Sequence, residues 1–305
     1  MLSQLFKQPI SVIITLVGCL LIIAGFFKID DITKLAISPH TQPLYLCIVI
    51  GIVMILFGIF IYFVASQSLP MFSISKVENI KSGFSIKHGR LTLNVVFGQI
   101  QDFDCSEENC LVALPANEFF DDDCINDSSS ALGAYIQCHF KDNISKIQTI
   151  VKKELRDQTI ENVEKEHGVF GPSYGVGKCV YLNRPLSSNV RIVMTSVTTK
   201  RAGEGLRANA RYIFAAIDAI HCLMADHRMT CLYLPILGSG HGGLKGEVSL
   251  LCMLIAFAQQ HSQSLGKHVR SVNIVVYRKD DNAKPSISVK NVKIALRFAN
   301  ELFND

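Results

Sequence analysis

The sequence has ten cysteines but no CxxC pair and no paired framework spacing, Cys105 and Cys110 being the two nearest neighbours. A disulfide-stapled fold is excluded on that count, and the pattern fits free thiols in a reducing compartment. No basic block interrupts the chain, and a net charge of +4 over 305 residues is too small to argue for nucleic acid as a partner. A P-loop is missing too: Gly171 to Cys179 reads GPSYGVGKC, one residue too long for GxxxxGK and closed by Cys where Ser or Thr is needed. His221, Cys222 and His227 match no strong zinc spacing, so packing and surface polarity account for them and no metal is expected.

Charge is absent from two long stretches as well. From Ile10 to Phe27 and from Leu44 to Ala65 run roughly 18 and 22 uncharged, largely apolar residues, each long enough to cross a hydrocarbon core as a helix. No small-x-small cleavage site follows the first run, which argues against a secretory signal. Leu16-Val17-Gly18-Cys19 looks like a lipobox, yet the chain stays apolar through Leu20-Leu21-Ile22-Ile23 where a mature lipoprotein turns polar. Two retained transmembrane helices, about 10–27 and 44–65, are therefore expected within residues 1–66. Lys7 before the pair and Lys76, Lys81, Lys87 and Arg90 after it outweigh Lys28 and Lys34 between, which places both termini in the cytoplasm and the chain in the cell inner membrane. Gly18, Gly25, Gly51 and Gly58 would permit close helix packing in either span.

Beyond a connecting segment at 67–89, composition becomes globular, and residues 90–305 are expected to form one α/β domain. Strands are expected at Phe72–Val77, Phe84–Lys87, Leu91–Phe97, Cys110–Pro115, Gly175–Tyr181, Val190–Val197, Cys231–Leu237 and Ser271–Tyr277. Helices are expected to open at Ala131 and to run over Ile144–Glu166, Gly205–His227, Glu247–Gln260 and Val292–Phe303. Such alternation predicts a largely parallel or mixed sheet covered on both faces, a three-layer α/β/α sandwich.

Two loops carry the chemistry. Gly238-Ser239-Gly240-His241-Gly242-Gly243 lies between a buried strand and a helix, directly after Leu237. There glycines let main-chain amides approach an anion, and phosphate is the natural guest. The string is formally GxGxxG, but it comes late in the fold and no acidic strand end follows about 20 residues on, unlike a dinucleotide-binding Rossmann unit. An ordinary tight connection is the plainer alternative. His241 could donate a hydrogen bond there or simply be exposed. The other loop joins Leu114-Pro115-Ala116-Asn117-Glu118 to Ser130-Ala131-Leu132-Gly133 through Asp121-Asp122-Asp123, an acidic cluster that reads as a solvated loop more readily than as a cation site. Gly175, in the failed P-loop string, could bring backbone close to the same cleft.

A strand ending in LPAN, a small-residue loop opening a helix, and a later strand running into PILGSGHGG resemble the macro domain over roughly residues 90–278. The resemblance implies an ADP-ribose-like nucleotide conjugate as ligand and no cofactor. It puts Gln99 by the adenine, Ser130, Ala131, Leu132 and Gly133 with Leu237 to Gly243 around the diphosphate, and Asn117, with Glu118 beside it, towards the distal ribose. Gln99 replaces the acidic residue usual at the adenine turn, Leu114 stands where a first Asn is usual, and Leu132 where a catalytic Asp often lies. No general base is matched to a nucleophile, so catalytic residues are not expected. Asn117-Glu118-Phe119-Phe120-Asp121 together with two N-terminal spans is similar to the transmembrane macro effectors of type II Thoeris anti-phage systems. That similarity implies a TIR-domain partner that makes a signal from NAD, a homo-oligomer, and damage to the lipid bilayer. A membrane-tethered ADP-ribosyl hydrolase and a passive nucleotide-binding scaffold are the alternatives.

Overall fold

The computed structural model describes residues 51–55, 77–103, 105–158, 161–262 and 268–303. The chain divides into two compact units, Met1–Ile74 and Ser75–Asp305. Both expected membrane spans fall outside the described residues, apart from 51–55, which are helical. Among the described residues no helix is long and apolar enough to cross a membrane. The expected strand at Phe72–Val77 also lies outside them, except for Val77.

The second unit is built on one mixed sheet. In chain order its strands are β1 (Glu78–Ile80), β2 (Gly83–His88), β3 (Leu91–Gly98), β4 (Cys110–Asn117), β7 (Cys179–Asn183), β8 (Arg191–Arg201), β9 (Gly205–Arg207), β10 (Cys231–Pro235) and β11 (Ser271–Tyr277), with β5 (Glu161–Glu166) and β6 (Val169–Ser173) forming a separate hairpin. The spatial order is β1-β2-β3-β11-β10-β4-β8-β7, and β9 pairs with β8. The five central strands, β3, β11, β10, β4 and β8, are mutually parallel, whereas β2 and β7 flank them antiparallel. β1 and β2 are thus part of the sheet, within what the sequence suggested as a connecting segment.

Period-2 alternation divides the core. On one face Leu93, Val95, Leu111, Ala113, Leu232, Leu234, Val272 and Ile274 pack against α4 (Ala210–Asp226), α5 (Gly246–Ser262) and α6 (Val289–Phe303), which follow the shorter helices of the other layer. On the opposite face Val112, Leu114, Met194 and Val275 meet α1 (Asp122–Asn126), α2 (Ala131–Phe140) and α3 (Ile144–Leu155). Central strands buried on both sides need apolar residues at nearly every position, and β4 and β11 supply them.

Three expected elements differ. The helix anticipated over Ile144–Glu166 stops at Leu155, where its buried row Ile147, Val151, Leu155 ends, and Glu161–Glu166 turns back as β5. Gly168 makes that turn at φ 73°, its amide held by the Glu164 carboxylate at 2.9 Å. The helix anticipated from Gly205 begins at Ala210, capped by the Asn209 side chain, while Gly205–Arg207 pairs with β8. Gly175 and Gly177 both take positive φ ahead of β7, so they belong to a loop and the strand starts only at Cys179.

Candidate functional site

A cavity of about 880 Å³ opens where the parallel strands end, within the size range of small-molecule sites. Its floor comes from the carboxyl ends of the strands: Gly98 of β3 and Gln99 after it, Pro115 to Asn117 of β4, Val197, Thr198 and Lys200 of β8, Pro235 of β10 and Ile236 after it, and Tyr277 of β11. The edge of an open α/β sheet reached by successive strand ends is the usual place for a ligand.

Two loops wall the cavity and meet across it. Asp127 to Ala131 stand on one side and Gly238 to Gly242 on the other. His241 joins them, with Nδ1 3.6 Å from an Asp127 carboxylate oxygen and Nε2 3.5 Å from Ser129 Oγ. The Ser129 hydroxyl and amide both donate to Asp127, at 2.6 and 2.9 Å. Those bonds, with the nearby His241, hold the Asp127 carboxyl below the usual range.

Main-chain amides without an acceptor in helix or sheet stand on both walls. Ser130 caps α2: its hydroxyl accepts from the Gly133 amide at 2.9 Å and donates to the Asp127 carbonyl at 2.8 Å. With the Ala134 amide on the Ser130 carbonyl, the amides of Ala131 and Leu132 are the ones a helix start leaves for an anion. A Cβ at Gly133 would lie 2.0 Å from the Asp127 carbonyl oxygen, so only glycine lets the loop fold this tightly onto the helix. Across the cavity, Leu244 and Gly243 donate to the Gly238 and Gly240 carbonyls and Ala208 to that of Gly242. Among the described residues, no acceptor in the protein takes the amides of Gly240, His241 or Gly242. Gly238 takes φ 69° and Gly242 packs on Ala208 and Thr198, but a Cβ at Gly240 would meet open space.

At the inner end Asn117 is buried and internally engaged. Its Oδ1 accepts from the Phe119 amide at 2.9 Å and its Nδ2 donates to Asp121 at 3.1 Å, bracing a turn in which Phe120 has φ 47°. Asp121 also receives the Lys165 ammonium at 2.8 Å. Burial alone would raise the Asp121 pKa, but the bonds from Lys165 and Asn117 outweigh it and hold the carboxyl below its ordinary value. At the opposite end Gln99 lines the cavity while donating to the Lys279 carbonyl at 3.1 Å.

Gln99, Asn117, Ser130, Ala131, Gly238, Ser239, Gly240, His241 and Gly242 therefore come together around one cavity. The side chains of the other sequence candidates stand elsewhere. Glu118, on the face of the chain opposite Asn117, is buried under Arg201, whose guanidinium donates to its carboxylate. The same carboxylate accepts from Ser173 Oγ at 2.6 Å and the Lys200 amide at 2.9 Å, so it ties β4 to β8 and the β5–β6 hairpin. Leu132 and Leu237 fill the core, Gly133 contributes to the cap, Gly243 lies outside the lining, and Gly175 carries its φ of 79° in the loop before β7. Sequence reasoning missed Thr198, Lys200 and Tyr277, which line the cavity. The rule that ligands gather at the carboxyl ends of parallel strands reaches all three once the strand order is known.

Among the described residues, no group of three or more His, Cys, Asp or Glu side chains could hold a metal ion. His221 is buried on α4, its pKa pushed down to about 4 by burial and then by His268 and His261. His227 stacks on Tyr181 with ring centroids 4.2 Å apart.

A mixed sheet with a cavity at its parallel strand ends, walled by a capped helix start and a glycine loop, defines the chain's second unit as a macro domain. It belongs to the family described as Thoeris protein ThsA, Macro domain, whose model matches residues 93–277. Solved structures similar to it include a macrodomain of Oceanobacillus iheyensis with ADP, at 14% identity and TM-score 0.48, covering 72% of this chain and 96% of that one. Another is a Trypanosoma brucei macrodomain in complex with ADP-ribose, at 10% identity and TM-score 0.45, covering 67% of this chain and 68% of that one. No curated protein matches the chain.

Proposed function

We propose that the chain is a membrane-anchored sensor of Thoeris-type defence, whose macro domain binds an ADP-ribose-derived nucleotide made from NAD by a TIR-domain partner. Binding favours an oligomer of the chain, and the two N-terminal apolar runs, inserted in the inner membrane, then breach the bilayer. The observation that carries the ligand reading is the convergence of two amide-bearing loops on one cavity, joined by His241 to Asp127 and Ser129. Pyrophosphate between them would take hydrogen bonds from Ala131 and Leu132 on one wall and Gly240 to Gly242 on the other. Gln99 and Tyr277, after β3 and at the end of β11, line the cavity for a base, and Asn117, two strands further along the sheet edge on β4, lines it for a distal ribose. Membership of the Thoeris family supports the defence context.

Sensing is proposed over hydrolysis because the Asn117 and Asp121 side chains at the inner end already bond to Phe119, Lys165 and each other. Neither is free to activate a water on a distal ribose. A ligand can drive assembly only by as much as it binds the assembled state more tightly, about 1.4 kcal/mol for each tenfold difference.

The test is a titration of the Ser75–Asp305 unit with ADP-ribose, followed by thermal unfolding. Stabilisation of about 2.7 kcal/mol is expected at a hundredfold excess over the dissociation constant, with the nucleotide recovered intact. No shift with ADP-ribose or related nucleotides would remove the ligand reading, and steady consumption of the nucleotide would replace the sensor with an enzyme. For the effector step, full-length protein in dye-loaded vesicles should leak only when ligand is added.

A further inference from the structure

The C-terminal helix α6 is apolar on two sides. Its inner side, Val292, Ala295, Leu296 and Ala299, belongs to the core. On the outer side Ile294, Phe298 and Leu302 recur every four residues and are 53%, 47% and 50% exposed, a continuous stripe along one helix face. Lys290 and Arg297 are exposed along its flank, with Glu301 near the far end. Among the described residues neither cation has an ion-pair partner. Lys293, on the same flank, lies 4.7 Å from the centre of the Phe84 ring and is occupied there. The helix packs on β2, next to β1, where the chain enters the domain.

We propose that this outer face of α6 docks on an anionic lipid surface. Three large apolar side chains in a row with cations alongside is the pattern of a helix lying in the interfacial plane, its apolar side among acyl chains and its Lys and Arg stems reaching the headgroups. Unpaired Lys290 and Arg297 find their complement in anionic headgroups. A second copy, whose antiparallel pairing would set Lys290 against Glu301 across the seam, is the other occupant, and the experiment below separates the two. The proposal rests on the membrane reading above only for the nearness of a bilayer, and it is independent of the ligand reading.

The sequence contains no tryptophan, so Phe298→Trp places a single fluorescent reporter in the stripe. Full-length protein with this substitution is reconstituted into phosphatidylcholine vesicles with and without phosphatidylglycerol, using lipids brominated on the acyl chains. Docking gives blue-shifted emission quenched by bromine in the anionic vesicles and relieved by salt. Adding Lys290→Gln or Arg297→Gln weakens it about fivefold per charge removed. A water-like, unquenched spectrum overturns the proposal. So does a blue shift that ignores bromine but grows with the protein-to-lipid ratio, since that marks a second copy as the occupant. Carbonate extraction of the same vesicles tests the N-terminal anchoring separately, and quenching decides the docking whichever way extraction falls.

Discussion

Gly240→Asp separates a binding loop from an ordinary connection. Most glycines here cannot be changed without disturbing the fold: a Cβ at Gly133 would run into the Asp127 carbonyl, and one at Gly242 would lie 2.7 Å from the Gly238 oxygen. Gly240 is different, because its φ is not in the left-handed region and a Cβ there meets nothing within 4 Å. An aspartate at 240 therefore leaves the domain folded while putting a carboxylate beside the free amides of the second loop. At about 5 Å from a phosphate charge and an effective dielectric near 20, the repulsion is about 3 kcal/mol. Binding should weaken by at least about a hundredfold. Gly240→Ala, which adds bulk without charge, should keep affinity within a few-fold of the parent. Calorimetric titration with ADP-ribose, beside melting curves of both variants, makes the comparison. Equal affinity in Gly240→Asp and the parent would mean that no anion lies against this loop.

Two further outcomes concern stability. Glu118→Gln should cost about 2 kcal/mol, since it removes the buried negative charge facing Arg201 and replaces one of the two acceptor oxygens shared by Arg201, Ser173 and the Lys200 amide with a donor, and partial exposure of Arg201 keeps the loss low in the range for broken buried pairs; denaturant unfolding of the Ser75–Asp305 unit measures it. His221, with its pKa lowered from 6.5 to about 4 in the fold, is neutral when folded but protonates when unfolded. Stability is therefore unaffected by His221 above pH 6.5 and falls as pH drops through the window from 6.5 to 4, by about 2 kcal/mol between pH 7 and pH 5. His221→Phe should flatten that slope in unfolding curves taken across the range, and an unchanged slope would place its cause elsewhere.

The parts of the fold that alternate on a short period could be read from sequence. The central strands near Leu91, Cys110, Val190, Cys231 and Ser271 bury both faces, so their apolar runs stand out, and the helix from Glu247 is apolar almost all round for the same reason. Elements with little apolar surface were harder. The segment that forms β5 reads as charged and helix-compatible, because what makes it a strand is the turn at Gly168 and the contacts of the hairpin with Lys200 and Glu118. Glycine and serine mark main-chain chemistry by composition, which is why the second loop and Ser130 stood out. Glu118 misled because its partner Arg201 is 83 residues away, and no local pattern shows which way a residue at a strand end points. Tyr277 and Thr198 come to the cavity through strand order, β11 lying between β3 and β10 and β4 between β10 and β8, which spacing along the chain does not encode.

The charges around the cavity lead to a last expectation. Among the described residues, three aspartates, Asp121, Asp123 and Asp127, line it against one permanent cation, Lys200, which is itself drawn to Glu166 at 2.5 Å. Asp121 is paired with Lys165, and Asp127 is hydrogen-bonded by Ser129, so the walls do not offer an anion a strong attractive field. Whatever holds a diphosphate here must be short-range amide donation from the two loops, which ionic strength barely screens. Affinity for ADP-ribose should therefore change only a few-fold between low salt and about 0.5 M, unlike that of a site built on lysine and arginine clamps. A steep loss of binding with salt would shift the weight of recognition from the glycine loop to Lys200 and His241. Lys200→Gln would then be expected to abolish binding, where the amide account expects only a modest loss.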